Sequence, residues 1–368
     1  MLDQTEIVIP LLAWWDAGRA DWPWRRSDDP YHIWVAEVML QQTQIVTVLP
    51  YYARWLAQFP TVAALAAASL DQVLKVWEGL GYYSRARNLH AAARKVVTER
   101  KGELPQTAEE WQKLPGIGRY TAGAIASIAF HQPVPILDGN ITRVLTRLTD
   151  LSDDITRSAT RTQLWRIAAD LVPSQRPGDF NQALMELGQR LCLPAAPHCH
   201  ECPLAAACLA RARGAQLERP VRPARRPIPH YQVAAGVIWR EDGRLLITQR
   251  PADGLLGGLW EFPGGKQEPD ESLPQTLQRE IREELAIEIA VEALLLTLKH
   301  AYTHFRITLH AFQARYLTGT IQHLGVADHA WVWPAELDNY PFAATDRQIV
   351  AHLRQEKPES PGALMRSN

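Results

Sequence analysis

Between Arg211 and Pro229 the chain carries six arginines and four prolines against one acid, Glu218. Proline fixes φ and removes a backbone donor, so this stretch can extend neither a helix nor a strand ladder. It reads as an extended linker, either a solvated tether or a strap that contacts phosphate. The chain is written differently on its two sides. Before it, residues 63–74, 85–100, 122–130 and 161–171 repeat apolar positions at three- and four-residue spacing, the mark of helices. After it, residues 233–239, 245–249, 293–298, 305–316 and 330–333 read as strands, with one helix over 273–285. The expected fold is therefore multi-domain. An all-α part covers residues 1–213, the linker 214–229 and an α+β part 230–355, with a disordered tail over 356–368. A length of 368 residues suits two domains.

All four cysteines, Cys192, Cys199, Cys202 and Cys208, fall in one short window spaced C-x6-C-x2-C-x5-C. Four thiolates held by short loops can bind a zinc ion or an iron–sulfur cluster. Only Cys199 and Cys202 form the close pair that zinc knuckles use, which favours a cluster without excluding zinc. The start of the chain, with Asp3 and Glu6, lacks the basic region and apolar run of a secretory signal. No run of 18 apolar residues marks a membrane span. The expected location is cytoplasmic, where metal ligation is favoured over disulfides. A net charge of −1 does not by itself announce a nucleic-acid binder.

Residues 114–122 place Gly116 and Gly118 in a tight turn leading directly into a helix. Backbone N–H groups at such a helix start can hold a phosphate without side-chain charge. A Gly-x-Gly turn is a weak signal alone. Leu137-Asp138-Gly139-Asn140, a short helix further on, adds a carboxylate beside it. This pairing resembles the helix–hairpin–helix family of DNA glycosylases, and the cysteine spacing matches the [4Fe-4S] loop of its endonuclease III and MutY branches. The run Glu37-Val38-Met39-Leu40-Gln41-Gln42-Thr43-Gln44 looks like the signature of MutY-type adenine DNA glycosylases. Endonuclease III relatives carry a Schiff-base lysine where this chain has Tyr120, which cannot do that chemistry.

The resemblance implies a monomeric enzyme with a [4Fe-4S] cluster on Cys192, Cys199, Cys202 and Cys208. It would remove adenine opposite 8-oxoguanine or guanine in double-stranded DNA, without strand cleavage. It implies that Glu37 protonates adenine N7, which requires a buried, apolar setting that keeps a proton near neutral pH. Asp138 would stay ionised beside the phosphate-binding helix end. It would oppose the oxocarbenium-like sugar, by charge or through a transient covalent adduct. Tyr120 and Asn140 would support the sugar and water. A base must leave the duplex first, and Gln42 and Tyr82 stand where the family fills the gap. Arg25 and Arg26 would contact the pocket or phosphates, with Gly116 and Gly118 on the DNA backbone. Thr142 replaces a lysine found in some relatives, which implies little trapping of the abasic sugar.

The pattern Gly265-x5-Glu271-x7-Arg279-Glu280-Ile281-Arg282-Glu283-Glu284-Leu285-Ala286-Ile287 resembles the Nudix box, with Ala286 where glycine is usual. In Nudix hydrolases such glutamates bind Mg²⁺, so Glu280, Glu283 and Glu284 are the candidate ligands, and Mg²⁺ is expected only if the box is active. MutY enzymes end in a Nudix-like domain that reads 8-oxoguanine, and Tyr302-Thr303-His304-Phe305 matches its contact loop. That implies Thr303 and His304 touch the damaged base. The competing readings are a metal-binding module without turnover and an active pyrophosphatase. A bifunctional pyrimidine-lesion glycosylase is opposed by Tyr120, and a nucleotide-pool hydrolase with an inert DNA anchor by the pair Glu37 and Asp138.

Overall fold

The computed structural model describes residues 3–223 and 227–355; the expected tail, 356–368, lies outside them. The first half is helical, with α1 (Gln4–Gly18), α2 (Pro30–Leu40), α3 (Ile45–Gln58), α4 (Val62–Ala67), α5 (Leu70–Trp77), α6 (Ser84–Arg100), α7 (Ala108–Trp111), α8 (Arg119–Phe130), α9 (Gly139–Leu148), α10 (Ser158–Leu171), α11 (Pro177–Arg190) and α12 (Leu209–Ala212). The second half runs β1 (His230–Trp239), β2 (Leu245–Gln249), β3 (Trp260–Glu261), β4 (Gly264–Lys266), α13 (Leu273–Leu285), β5 (Ile287–Ala301), β6 (Arg306–Gly319), β7 (Asp328–Val332) and α14 (Ala344–Gln355). Among the described residues no helix is long and apolar enough to cross a membrane.

The single helix expected over 63–74 is two. Ser69 interrupts it with a capping box: its hydroxyl accepts from Gln72 N at 3.2 Å, and Gln72 Oε1 accepts from Ser69 N at 2.9 Å. Those bonds satisfy donors at the start of α5, so the chain gains by restarting there. The interruption has a consequence for packing. Among the described residues, 69–87 group compactly with 227–355, and 3–68 with 88–223. Glu78 Oε1 accepts from Phe342 N at 2.8 Å, and Lys75 Nζ donates to Tyr340 O at 3.1 Å.

The core of the helical unit is built from Ile7, Leu11 and Trp15 of α1, Val144, Leu145 and Leu148 of α9, and Phe180, Leu184 and Leu187 of α11. Between α12 and β1 no regular element forms among the described residues, as the prolines require. This segment is not a free tether, however. Ala215 is buried, Arg219 Nε stands 2.9 Å from Asp150 Oδ1, and Ile155 N donates to Val221 O at 3.2 Å. Residues 215–221 are strapped to the helical unit.

The other unit holds a mixed sheet in the order β3-β2-β1-β6-β5, with β4 also on β1 and β7 on β2. Strands β1 and β6 are parallel; the other pairs are antiparallel. Helix α13 covers one face through Leu277, Ile281 and Leu285, against Ala234, Ile238 and Leu246. The opposite face packs Val237, Ile247 and Leu309 with Ile349 and Val350 of α14. Strands β5 and β6 meet in the tight loop 302–305, which carries Thr303 and His304.

Candidate active site

Helix α2 starts where Asp29 Oδ1 accepts from Tyr31 N at 2.8 Å and Pro30 supplies a preset φ. Nearly every residue from Tyr31 to Met39 is buried, so this helix is apolar all round and carries one acid inside it, Glu37. Glu37 is 6% exposed. Burial pushes its carboxyl up to about 7 against the pull of the Tyr120 hydroxyl; the charge of Asp138 adds to the rise and Arg25 opposes it. Tyr120 O–H donates to Glu37 Oε2 at 3.0 Å, with Met185 Sδ 2.9 Å from the same hydroxyl.

Asp138 is the N-cap of α9. Its carboxylate accepts from Ile141 N at 2.7 Å and from Asn140 Nδ2 at 2.8 Å. Burial raises its pKa, and these two residues' hydrogen bonds pull it back. The helix end that Asp138 serves is therefore that of α9 itself, whereas the Gly116–Gly118 turn leads into α8. Arg143 ties this corner down: it donates to Asn140 Oδ1 at 3.0 Å, to Gly188 O at 2.6 Å and to Cys192 O at 2.7 Å. The same arginine thus touches the neighbour of Asp138 and the backbone of a cysteine.

Glu37, Tyr120, Asp138, Asn140, Met185 and Arg222 all line one open cavity of about 740 Å³. Gln42 also lines it, exposed at the turn after α2 with φ 56°. Arg25 reaches the cavity but is engaged: it donates to Glu186 Oε2 at 2.6 Å and to Ala20 O at 2.8 Å, and lies over the Trp15 ring. Arg26 is exposed and paired with Asp21. Gly116 has φ +73°, and a Cβ there would meet the Asn88 side chain at 2.5 Å, so the turn demands glycine. Gly118 is the N-cap of α8 with no side-chain cap, which leaves the α8 N–H groups without a local acceptor there. The sequence reading did not find Met185, Arg143 or Glu186. Only the strap reading of the linker hinted at Arg222.

Tyr82 belongs to the other unit. It is exposed, holds φ 48°, and its hydroxyl lies 2.6 Å from Thr303 Oγ1. Tyr302 N donates to Phe305 O at 2.8 Å, and the two rings pack at 4.7 Å. This fixes a hairpin tip with Thr303 and His304 exposed at its apex.

The four cysteines are partly buried; burial pushes the Cys202 thiol up to about 11, with the nearby cysteines adding to the rise, and raises the Cys208 thiol as well. The buried Arg147 guanidinium donates to Cys192 Sγ at 3.3 Å and to Leu193 O at 2.7 Å, and no carboxylate pairs with it among the described residues. In the Nudix-like box, Arg279 donates to Glu271 at 2.9 Å and Glu283 at 2.9 Å and pairs with Glu280 at 3.1 Å. Burial pushes Glu284 up to about 7, with Glu280 adding to the rise. A Cβ on Gly265 would meet the Glu280 carboxyl and displace it.

Residues 35–170 match the family model of the HhH-GPD superfamily base excision DNA repair proteins, and residues 234–352 match the NUDIX domain. The human adenine DNA glycosylase is 42% identical over 328 residues, covering 73% of this chain and 60% of the human protein. The chain thus spans less than two thirds of that relative's length. The Schizosaccharomyces pombe adenine DNA glycosylase is 33% identical over 371 residues, covering 83% of this chain and 80% of the relative. Among solved structures, a thermostable thymine-DNA glycosylase aligns with a TM-score of 0.52 and 27% identity over 57% of this chain and 97% of its own.

Proposed function

The chain belongs to the adenine DNA glycosylase family, and from that premise we propose that it removes adenine opposite 8-oxoguanine or guanine in double-stranded DNA by hydrolysis. The observation that carries this reading is a buried carboxyl held up to about 7, Glu37, facing the same cavity as a helix-capping carboxylate, Asp138. Two carboxyl groups in unlike environments divide acid and charge-stabilising work between them. Glu37 keeps a proton for adenine N7, and Tyr120 orients it. Asp138, held by Ile141 N and Asn140, opposes the positive charge that builds on the sugar as the bond breaks. A cavity of about 740 Å³ suits an extruded nucleoside. Tyr120 supplies no amine, so base release proceeds without a Schiff base and without strand cleavage.

The donor set at Cys192, Cys199, Cys202 and Cys208 fits a [4Fe-4S] cluster. Arg147 places a buried cation against Cys192 Sγ, which favours an anionic sulfur group there. Bound to these residues, the cluster would cross-link the 192–208 loop, and Arg143 would connect that loop to Asn140. On the Nudix-like domain, where Arg279 ties Glu271, Glu280 and Glu283 together, the proposed role is a damage-reading module with relict carboxylates. Tyr82 and Thr303, already hydrogen-bonded to each other, would face the base opposite adenine. Arg25, Arg26, Gln42, Gly116 and Gly118 remain the proposed DNA contacts from the helical unit, and His304 accompanies Thr303.

The test is single-turnover release of adenine from duplexes carrying it opposite 8-oxoguanine, guanine or cytosine. Fast release from the first two, with an intact abasic strand, is the expected result. No adenine release from any of the three, together with release of an oxidised pyrimidine and strand cleavage on a duplex carrying that base, would replace this reading by the bifunctional one.

A further inference from the structure

The segment joining β6 to β7 and the start of β7 together carry a group of donors that neither the glycosylase site nor the Nudix-like box uses. His323 Nε2 lies 2.7 Å from His329 Nδ1. The ligating atoms of His323, Asp328 and His329 all lie within 4.8 Å of one another. The backbone anchors both imidazoles. Gln322 N donates to Leu285 O at 2.9 Å and Leu324 N to Glu284 O at 3.0 Å, so the chain on either side of His323 is stapled to the end of α13. His329 stands in the β2–β7 ladder opposite Thr248, and Asp328 opposite Gln249. Asp328 Oδ1 also accepts from His329 N at 2.8 Å. Three donors therefore converge from two fixed stretches of backbone at a place open to solvent.

We propose that His323, Asp328 and His329 bind one borderline divalent transition ion, of the class represented by Zn²⁺, which pins the 320–327 segment to β7. Two imidazole nitrogens and one carboxylate oxygen, with water completing the shell, suit Zn²⁺, Co²⁺ or Ni²⁺; Mg²⁺ and Ca²⁺ prefer all-oxygen shells. A tetrahedral zinc holds two ligating nitrogens about 3.3 Å apart, so the rings need to open by less than about 1 Å. His323 is exposed and can make that adjustment by rotating its side chain. Binding replaces the His–His hydrogen bond with two metal–nitrogen bonds and releases its shared proton when the pair is protonated.

The experiment is equilibrium dialysis of the full chain, iron content intact, against about 10 µM free zinc, read by elemental analysis. The expected result is one zinc per chain beyond the wild-type iron content. His323→Ala and His329→Ala should each weaken binding at least about tenfold while iron content and adenine release stay unchanged. Zinc should also raise the unfolding temperature of the wild type but not of the double variant. The proposal is overturned if the wild type retains no zinc, or if the double variant binds it as well as the wild type does.

Discussion

In the proposed mechanism the chemistry turns on Glu37, and its setting makes a signed pH prediction. Burial holds its carboxyl up to about 7, so the proton needed for adenine N7 is lost above that value. Single-turnover release should therefore fall as pH rises through about 7. Tyr120 O–H stabilises the ionised form, so Tyr120→Phe should move that fall to higher pH; an unshifted profile would break the proposed contact. The same raised pKa works against folding as pH climbs from 4.5 to about 7, because the unfolded chain gives up this proton first. The family signature singled out Glu37 and Asp138, which the fold brings to one cavity, and the four cysteines of the 192–208 loop as candidates. Arg143 and Met185 were not singled out, since their roles come from contacts across long sequence separations, at Cys192 and Tyr120.

At the scale of elements, helix α13 and strand β2 match the reading from periodicity, because each buries a clean apolar set on one sheet. Strands β3 and β4 are two and three residues long, too short for any alternation to show. The departure at Ala286 has a structural meaning: it ends α13 in the left-handed region, φ 57°, where glycine is at ease. Ala286→Gly should raise the stability of the C-terminal unit by about 1 kcal/mol, read as a higher denaturant midpoint with unchanged slope. An unchanged or lower midpoint would show that the backbone there is not strained. The Arg/Pro segment was legible as irregular, with a tether and a phosphate-contacting strap both open; its packing on the helical unit was not legible, because Arg219 finds Asp150 only in three dimensions. Arg222, carried by that strap, lines the cavity. Arg222→Ala should weaken duplex binding severalfold and flatten its salt dependence by roughly one phosphate contact; equal slopes would leave the arginine without a phosphate.

For the whole molecule, residues 215–221 of the expected linker pack with the helical unit; a helical half followed by a sheet-bearing half was readable from the change of periodicity. The departure of residues 69–87 to the C-terminal unit was not, since nothing local to Ser69 records a partner as distant as Phe342. This bears on how base discrimination is tested. Deleting the C-terminal half would leave residues 69–87 without the unit they group with and remove the partners of Lys75 and Glu78, so point changes are cleaner. Thr303→Ala with His304→Ala should reduce the preference for 8-oxoguanine over guanine by about 10-fold or more, in line with one or two lost hydrogen bonds, and leave adenine release from guanine pairs largely intact. An unchanged preference would remove the damage-reading role. The central claim, that a buried protonated Glu37 drives base release, is met most directly by single-turnover adenine release from the 8-oxoguanine duplex with Glu37→Gln, alongside its duplex affinity. The account predicts near-wild-type binding with release slowed about 10- to 1000-fold or more; release at the wild-type rate would contradict it.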